Sequence, residues 1–337
     1  MPANGSAELP RVGLILTGGT IDSLGVDRLD LAWYIEANQR LGDGELVARI
    51  PELARVARVE EYRFRRLPSH ALVGNDLLEL AAFVQTIIDD GLDGVVITHG
   101  TNTLEETAYF LTLVLKTDRP VVLTGAMRPA SALSPDGDLN LYQAVQVAAS
   151  PDAADAGVLV VLNGSILAAR DVTKTATSSV ETFRAPDSGA IGSAAADGKV
   201  VFRHRHGMPH TRATEFDVAK IKVLPRVDVV VSYIEADGVM IDAAVAAGAR
   251  GIVSAGTGAG RPTPKEEEAL LRAAKTGVVV CQASRVGSGR VARSPGLVRK
   301  GFVAANDLQP WKARMLLSLA LTTTQEADRI QTIFDRY

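Results

Sequence analysis

The chain predicts an α/β fold of two domains: a mostly parallel, doubly wound sheet in a large N-terminal domain, then a smaller α/β domain. Three observations carry this. Uninterrupted aliphatic runs recur, beginning with Val12-Gly13-Leu14-Ile15-Leu16, and such runs suit strands buried on both faces of a parallel sheet. Segments of helical periodicity alternate with them. At 192–217 the character changes to glycine, alanine and a basic stretch, after which the strand-helix rhythm resumes. The expected division is an N-terminal domain at 1–195, a hairpin and linker at 196–216, and a C-terminal domain at 217–337.

The first strand runs into Thr17-Gly18-Gly19-Thr20-Ile21, where two glycines let the backbone turn sharply and approach another group closely. Thr20 therefore stands at a strand's carboxyl end, where open α/β sheets place their ligand crevices. Residues 59–67 read as a strand ending at Pro68-Ser69-His70. Asn75 reads as the cap of a helix to about residue 90, with Leu77, Leu78, Ala81, Val84 and Ile88 on its apolar stripe. Val95-Val96-Ile97-Thr98-His99-Gly100-Thr101-Asn102-Thr103 then repeats the design of the first strand and turn. Thr103 and Glu106 form a T-x-x-E capping pattern, predicting a helix over 103–116 whose amino terminus faces the same crevice. Residues 120–124, closed by Gly125-Ala126-Met127-Arg128-Pro129, and residues 157–162 are further buried strands. Beyond the linker, strands are expected at 227–233, 251–255 and 277–281. Thr263-Pro264-Lys265-Glu266 opens a helix with a cap, a proline at the first position and acids in the first turn. A last long helix is expected over 310–322.

Composition narrows the partners. Of 337 residues, 47% are hydrophobic and 22% charged, as in ordinary soluble globular proteins. A formal charge of −3 gives no reason to expect nucleic acid or a membrane as partner. No apolar run approaches the roughly 20 residues needed to span a bilayer, and the polar stretch 1–11 lacks the apolar centre of a secretory signal. The one cysteine, Cys281, excludes an internal disulfide, suits a reducing compartment and reads as core packing. A cytoplasmic location is expected.

Gly18-Gly19-Thr20 is not a phosphate loop, because no Lys-Ser/Thr follows at the required spacing. Alone it reads equally well as a tight strand-helix turn with a capping threonine, and the turn at 99–103 admits the same account. A third segment, Ala169-Arg170-Asp171-Val172-Thr173-Lys174-Thr175, shifts the balance. A threonine hydroxyl is a weak nucleophile that needs a base, and a desolvated lysine can serve as one. His99 reads as structural, its ring bonding nearby backbone. His204, His206 and His210 have no carboxylate or cysteine beside them in sequence and read as a solvated hairpin, so no metal or cofactor is expected.

These segments, with Leu16-Thr17-Gly18-Gly19-Thr20-Ile21, His99-Gly100-Thr101-Asn102-Thr103-Leu104-Glu105-Glu106-Thr107-Ala108, Thr124-Gly125-Ala126-Met127-Arg128-Pro129 and Gly251-Ile252-Val253-Ser254-Ala255-Gly256, resemble the bacterial-type L-asparaginase/glutaminase family of amidohydrolases over nearly the whole chain. The resemblance implies hydrolysis of a side-chain amide to acid and ammonia through a covalent acyl-enzyme. It implies Thr20 as nucleophile on a mobile loop, Tyr34, placed by spacing alone, as its activator, and Thr101 with Lys174 as the pair that readies water. It further implies that Ser69 binds the substrate's α-carboxylate, that backbone N–H groups near Gly100 and Thr101 hold the oxyanion, and that the Ala126 carbonyl meets the leaving amide. His70, where relatives commonly have glutamine, is expected to contact substrate. A homodimer or homotetramer with sites at subunit interfaces is implied as well.

Departures from the family pattern cluster at one ligand group. Asn102 replaces an aspartate that pairs with the substrate's α-ammonium. The C-terminal motif reads Gly256-Thr257-Gly258-Ala259 in place of Gly-x-Gly-Asn. No acid lies between Glu268 and Asp307, where relatives supply a glutamate across the interface, whereas Arg285, Arg290, Arg293, Arg299 and Lys300 do. An asparagine-like substrate whose α-amino group is absent, acylated or otherwise altered fits this pattern. A substrate with an extra carboxylate fits it too, and a plain asparaginase remains the alternative. Two rivals from other classes are a catalytically idle ligand-binding relative, against which Thr20, Thr101 and Lys174 together argue, and an ammonia-releasing amidotransferase subunit, against which the lack of a basic nucleic-acid face argues.

Overall fold

The computed structural model describes residues 8–195 and 197–337. Residues 1–7 of the polar opening stretch and residue 196 of the expected linker lie outside them. The described chain forms two compact units, one running to Gly207 and taking in Thr211–Ala213, the other made of Met208–His210 and Thr214–Tyr337.

In the first unit β1 (Arg11–Leu16) pairs in parallel with β4 (Arg58–Arg63) on one side and β5 (Gly94–Thr98) on the other. Leu16 lies opposite both Arg63 and Thr98. The three strands therefore end level, and the segments leaving them start side by side. Parallel pairing continues through β6 (Val121–Thr124) and β7 (Val158–Leu162). The chain then turns back through β8 (Ser165–Ala168), β11 (Gly192–Ala194) and β12 (Val200–Phe202), all antiparallel, giving the order β12-β11-β8-β7-β6-β5-β1-β4. Two small ladders lie outside this sheet: β2 (Ser23–Leu24) with β3 (Gln39–Arg40), and β9 (Thr173–Lys174) with β10 (Phe183–Arg184).

Both faces of the parallel strands are covered, which is why they read as unbroken apolar runs. On one face Val12, Leu14, Val96, Val122 and Leu159 form a core with Leu141, Ala144 and Val145 of α5 (Gly137–Ala148). The alternate residues Ile15, Val95 and Ile97 are equally buried. On that side Gly13 faces Ile87 of α3 (Gly74–Asp89), and α4 (Leu104–Val114) packs on β7. Two short helices, α1 (Tyr34–Ala37) and α2 (Glu45–Ala48), lie between β1 and β4 in sequence.

The second unit is a four-stranded parallel sheet, β13 (Val227–Val231), β14 (Gly251–Gly256), β15 (Val279–Ser284) and β16 (Val303–Ala304), in sequence order. Ile241 and Ala244 of α6 (Val239–Ala246) and Ala269 and Leu270 of α7 (Pro264–Lys275) pack with Ile252 and Val280. α8 (Pro295–Lys300), α9 (Pro310–Ala320) and α10 (Ala327–Arg336) complete it. Among the described residues no helix is long and apolar enough to cross a membrane.

Several local expectations are corrected. α3 starts at Gly74 and is capped by Asp76, whose carboxylate accepts the Val73 N–H at 2.9 Å, while Asn75 bonds Glu79 on the outer face. Thr103 does not cap α4 with its side chain; its hydroxyl donates to the Ser69 carbonyl at 2.8 Å. The strand expected over 59–67 stops at Arg63, and Arg65 and Arg66 turn out to carboxylates. The strand expected at 277–281 begins at Val279, because Gly277, at φ +90°, closes the turn out of α7. The hairpin expected with the linker is present as β11 and β12, and it is not separate from the first unit: Val200–Phe202 is an edge strand of the first sheet. The helix expected to 322 ends at Ala320, where the Thr322 and Thr323 hydroxyls take its last carbonyls. α10, with Ile330, Ile333 and Phe334 buried, has no counterpart in the sequence reading.

The cap of α7 is as expected: Glu266 N–H donates to Thr263 Oγ1 at 3.2 Å, and the Glu266 carboxylate accepts the Thr263 N–H at 2.8 Å. Thr263→Ala is expected to cost about 1–2 kcal/mol, read as a lower urea midpoint at unchanged m-value. Thr263→Ser should restore most of it.

Candidate active site

The level ends of β1 and β5 are tied by Thr17, whose hydroxyl donates to the Thr98 carbonyl at 2.7 Å. Gly19 follows at φ +113°, and a Cβ there would come within 2.9 Å of the Gly100 N and Cα. Only glycine permits both that conformation and that approach. The two turns thus touch, and Thr20 is delivered beside Gly100.

Thr20 Oγ1 lies 3.0 Å from the Tyr34 hydroxyl. Tyr34 is buried while its neighbours Trp33 and Ile35 are exposed. The intervening loop is braced from within, since the buried Asp30 carboxylate accepts the N–H groups of Val26 at 3.2 Å and Trp33 at 2.8 Å. It is braced from outside by the Gly25 N–H on Ser131 Oγ at 2.7 Å.

The second hydroxyl-amine pair is formed across 73 residues. Lys174 Nζ donates to Thr101 Oγ1 at 2.9 Å and approaches Asn102 Oδ1 at 3.5 Å. Lys174 is carried by the β9-β10 ladder, and its backbone N–H donates to Glu105 Oε1 at 3.1 Å. Burial pushes the Lys174 ammonium below its ordinary value, with the Glu105 charge pulling the other way. A lysine so placed reaches its neutral, proton-accepting form more readily than one in water.

One cavity of about 340 Å³ gathers these groups; Thr20, Tyr34, Ser69, His70, Gly100, Thr101, Asn102 and Lys174 all line it. Ser69 is buried and its hydroxyl has no hydrogen-bond partner among the described residues. It lies so close that a Cβ on Gly100 would meet Ser69 Oγ at 2.7 Å. Ala126 is the exception among the expected site residues. It is wholly buried in the core cluster, and Met127 lines the cavity at this turn. The Asp136 carboxylate holds that turn through the Met127 and Arg128 N–H groups, both at 2.9 Å.

Sequence reasoning missed Arg40, which lines the cavity and pairs at 2.8 Å with the buried Asp22. Burial pushes the Asp22 carboxyl up, with Arg40 and then Arg66 pulling it down. Nothing in the spacing of residues 22, 40 and 66 signals that pairing. Glu105 was also missed, although its place within the second motif was a usable signal.

Residues 11–207 match the family described as Asparaginase, N-terminal, and residues 226–334 the Glutaminase/Asparaginase C-terminal domain. The chain belongs to the asparaginase family. It is 42% identical to L-asparaginase 2 of Escherichia coli, covering 98% of this chain and 94% of that one. It is 40% identical to the glutaminase-asparaginase of Pseudomonas fluorescens, covering 98% and 91%. A crystal structure named as that of a "Probable Cytoplasmic L-asparaginase" from Campylobacter jejuni superposes with a TM-score of 0.89 at 39% identity, covering 98% of this chain and 100% of that one.

The histidines of this asparaginase-family chain divide. His99 is structural, its ring bonded to the Gly100 carbonyl at 2.8 Å and to Thr107 Oγ1 at 3.0 Å. His206 is not solvated as expected; it is largely buried and lies 3.4 Å from Asp171. Burial opposes the Asp171 charge, but the hydrogen bond and charge of His206 hold its carboxyl well below the usual range. Nor is the basic stretch after Gln282 a free cluster, for Arg285 donates to the Ser232 carbonyl, Arg290 to Asn306, Arg293 pairs with Asp328 and Lys300 with Glu267. Cys281 is buried, as expected for core packing.

Burial lowers the His99 pKa to about 4, against the raising effect of the Gly100 carbonyl. Between that value and the unfolded value near 6.5, only the unfolded chain binds the proton, so stability falls as pH drops through this window. Wild type is expected to lose about 2 kcal/mol more than His99→Gln between pH 7 and pH 5, measured by urea unfolding at both pH values.

Proposed function

We propose that this protein is an asparaginase-type amidohydrolase that converts the side-chain amide of L-asparagine, or of a close analogue, to the acid and ammonia through an acyl-threonine intermediate. The observation that carries the reading is the pairing, in one cavity, of two threonine hydroxyls each with a proton-handling partner: Thr20 with Tyr34 at 3.0 Å and Thr101 with Lys174 at 2.9 Å. The family membership supports it.

Thr20 Oγ attacks the carboxamide carbon while its proton passes toward Tyr34. N–H groups at Gly100 and Thr101, in the turn before α4, stabilise the oxyanion. The tetrahedral intermediate collapses by breaking the C–N bond, and the amide nitrogen takes the proton relayed from Thr20 through Tyr34 and leaves as ammonia. A water, deprotonated through Thr101 and neutral Lys174, attacks the resulting ester; its second collapse releases the carboxylate and returns the proton to Thr20. Ser69 Oγ, buried and unpartnered, binds the substrate carboxylate. No step calls for a metal or cofactor.

The functional unit we infer is a homodimer or homotetramer. Its support is the edge strand β13 with the segment after it, where Val231, Tyr233, Ile234, Val239 and Met240 are exposed, an apolar surface that association would cover. We place it in the cytoplasm, on the lone buried thiol of Cys281.

Thr20→Ala should lower kcat by about 10³-fold or more with little change in substrate binding, and Lys174→Met should act comparably. Glu105 raises the Lys174 pKa, so Glu105→Gln should let the amine deprotonate at lower pH. The acid limb of the kcat profile then shifts to lower pH, as ammonia-release assays from pH 5 to 10 would show.

A further inference from the structure

Within the threonine-amidohydrolase reading, on which this rests, we propose that the preferred substrate is a carboxamide that carries one carboxylate and no α-ammonium group, the nitrogen being absent or acylated.

The cavity wall has the wrong charge for an ammonium. Its charged side chains are Arg40 and Lys174, with His70 beside Ser69, and no aspartate or glutamate lines it among the described residues. Two carboxylates that contact its cationic residues, Asp22 and Glu105, do not line it. Asp22 is buried behind Arg40 at 2.8 Å. Glu105 is buried under Lys174, with Oε1 on the lysine's backbone N–H. An ammonium entering here would give up water to face the Arg40 guanidinium and the Lys174 amine with no carboxylate to pair with.

Asn102 sharpens the point. Its carbonyl oxygen is turned to the Lys174 ammonium at 3.5 Å, the orientation in which that pair attracts. The group left for a ligand is then the amide –NH₂, which is only a donor. A donor suits a carbonyl or carboxylate oxygen and repels an ammonium. The buried Ser69 hydroxyl offers a further hydrogen bond to such an oxygen. Leu31 and Ile35, lining the same cavity and partly open to solvent, give an acyl substituent an apolar wall.

The test is ammonia release from asparagine, glutamine, succinamate and N-acetylasparagine by wild type, Asn102→Asp and Thr20→Ala, together with calorimetric titration of Thr20→Ala with succinamate and asparagine. Wild-type kcat/KM is expected to favour succinamate or N-acetylasparagine over asparagine at least tenfold. The first outcome marks an absent nitrogen and the second an acylated one. Asn102→Asp should cut that preference at least tenfold, and Thr20→Ala should bind succinamate more tightly than asparagine, a comparison that holds whether or not Asn102→Asp folds. Asparagine as the best substrate, with Thr20→Ala inactive, overturns this proposal and leaves the threonine mechanism standing. Undiminished activity of Thr20→Ala, or no ammonia from any of the four amides, overturns both.

Discussion

The site depends on the contact between two turns at the level ends of neighbouring parallel strands. β1 and β5 finish together, Thr17 bonds the Thr98 carbonyl across them at 2.7 Å, and Gly19 lies against Gly100 with no room for a Cβ between. The approach of Thr20 to the Gly100 turn follows from that contact. Thr20 and Thr101 leave the sheet within reach of one ligand only because the backbones before them are in van der Waals contact. Parallel pairing is what makes this possible, since it brings the carboxyl ends of consecutive βα units to the same edge of the sheet.

Around that fixed centre the supporting groups come from farther along the chain. Lys174 arrives on a two-residue ladder and is anchored through its own backbone by Glu105, from the first turn of the helix that follows Thr101. Tyr34 arrives on a loop braced by Asp30 and Ser131. The catalytic candidates thus combine a rigid sheet edge with segments whose order comes from a few buried carboxylate-to-backbone bonds. Buried carboxylates also shape the electrostatics of the cavity: Asp22 and Glu105 lie behind the wall, Arg40 and Lys174 in it. A surface cationic toward its ligand is thereby kept compatible with a stable interior.

The parallel strands and most of the site were legible because each rests on local signals. Buried strands must be apolar on both faces, and turns that touch must carry glycine, so residues 12–20 and 94–101 announce themselves. The less legible features share a different cause. Thr103 was expected to cap its helix, but the Ser69 carbonyl, brought close by tertiary packing, takes its hydroxyl. Asn75 lost the cap of α3 to Asp76, one residue on, which also pairs with Arg65. His206 looked solvated in a basic stretch and is instead folded against Asp171. In each case a polar side chain had several partners of similar local merit, and long-range geometry chose among them.

The sequence by itself determined the fold class, the two strand-turn motifs, the separate lysine segment and the absence of an acid at position 102, because apolar periodicity, glycine turns and residue identity are local facts. Tertiary structure alone decided that Lys174 meets Thr101, that Tyr34 meets Thr20, that Met127 and not Ala126 lines the cavity, and that Arg40 joins the wall while Asp22 is hidden. Those outcomes depend on distances between segments up to 73 residues apart, and only the packed sheet and its loops set such distances.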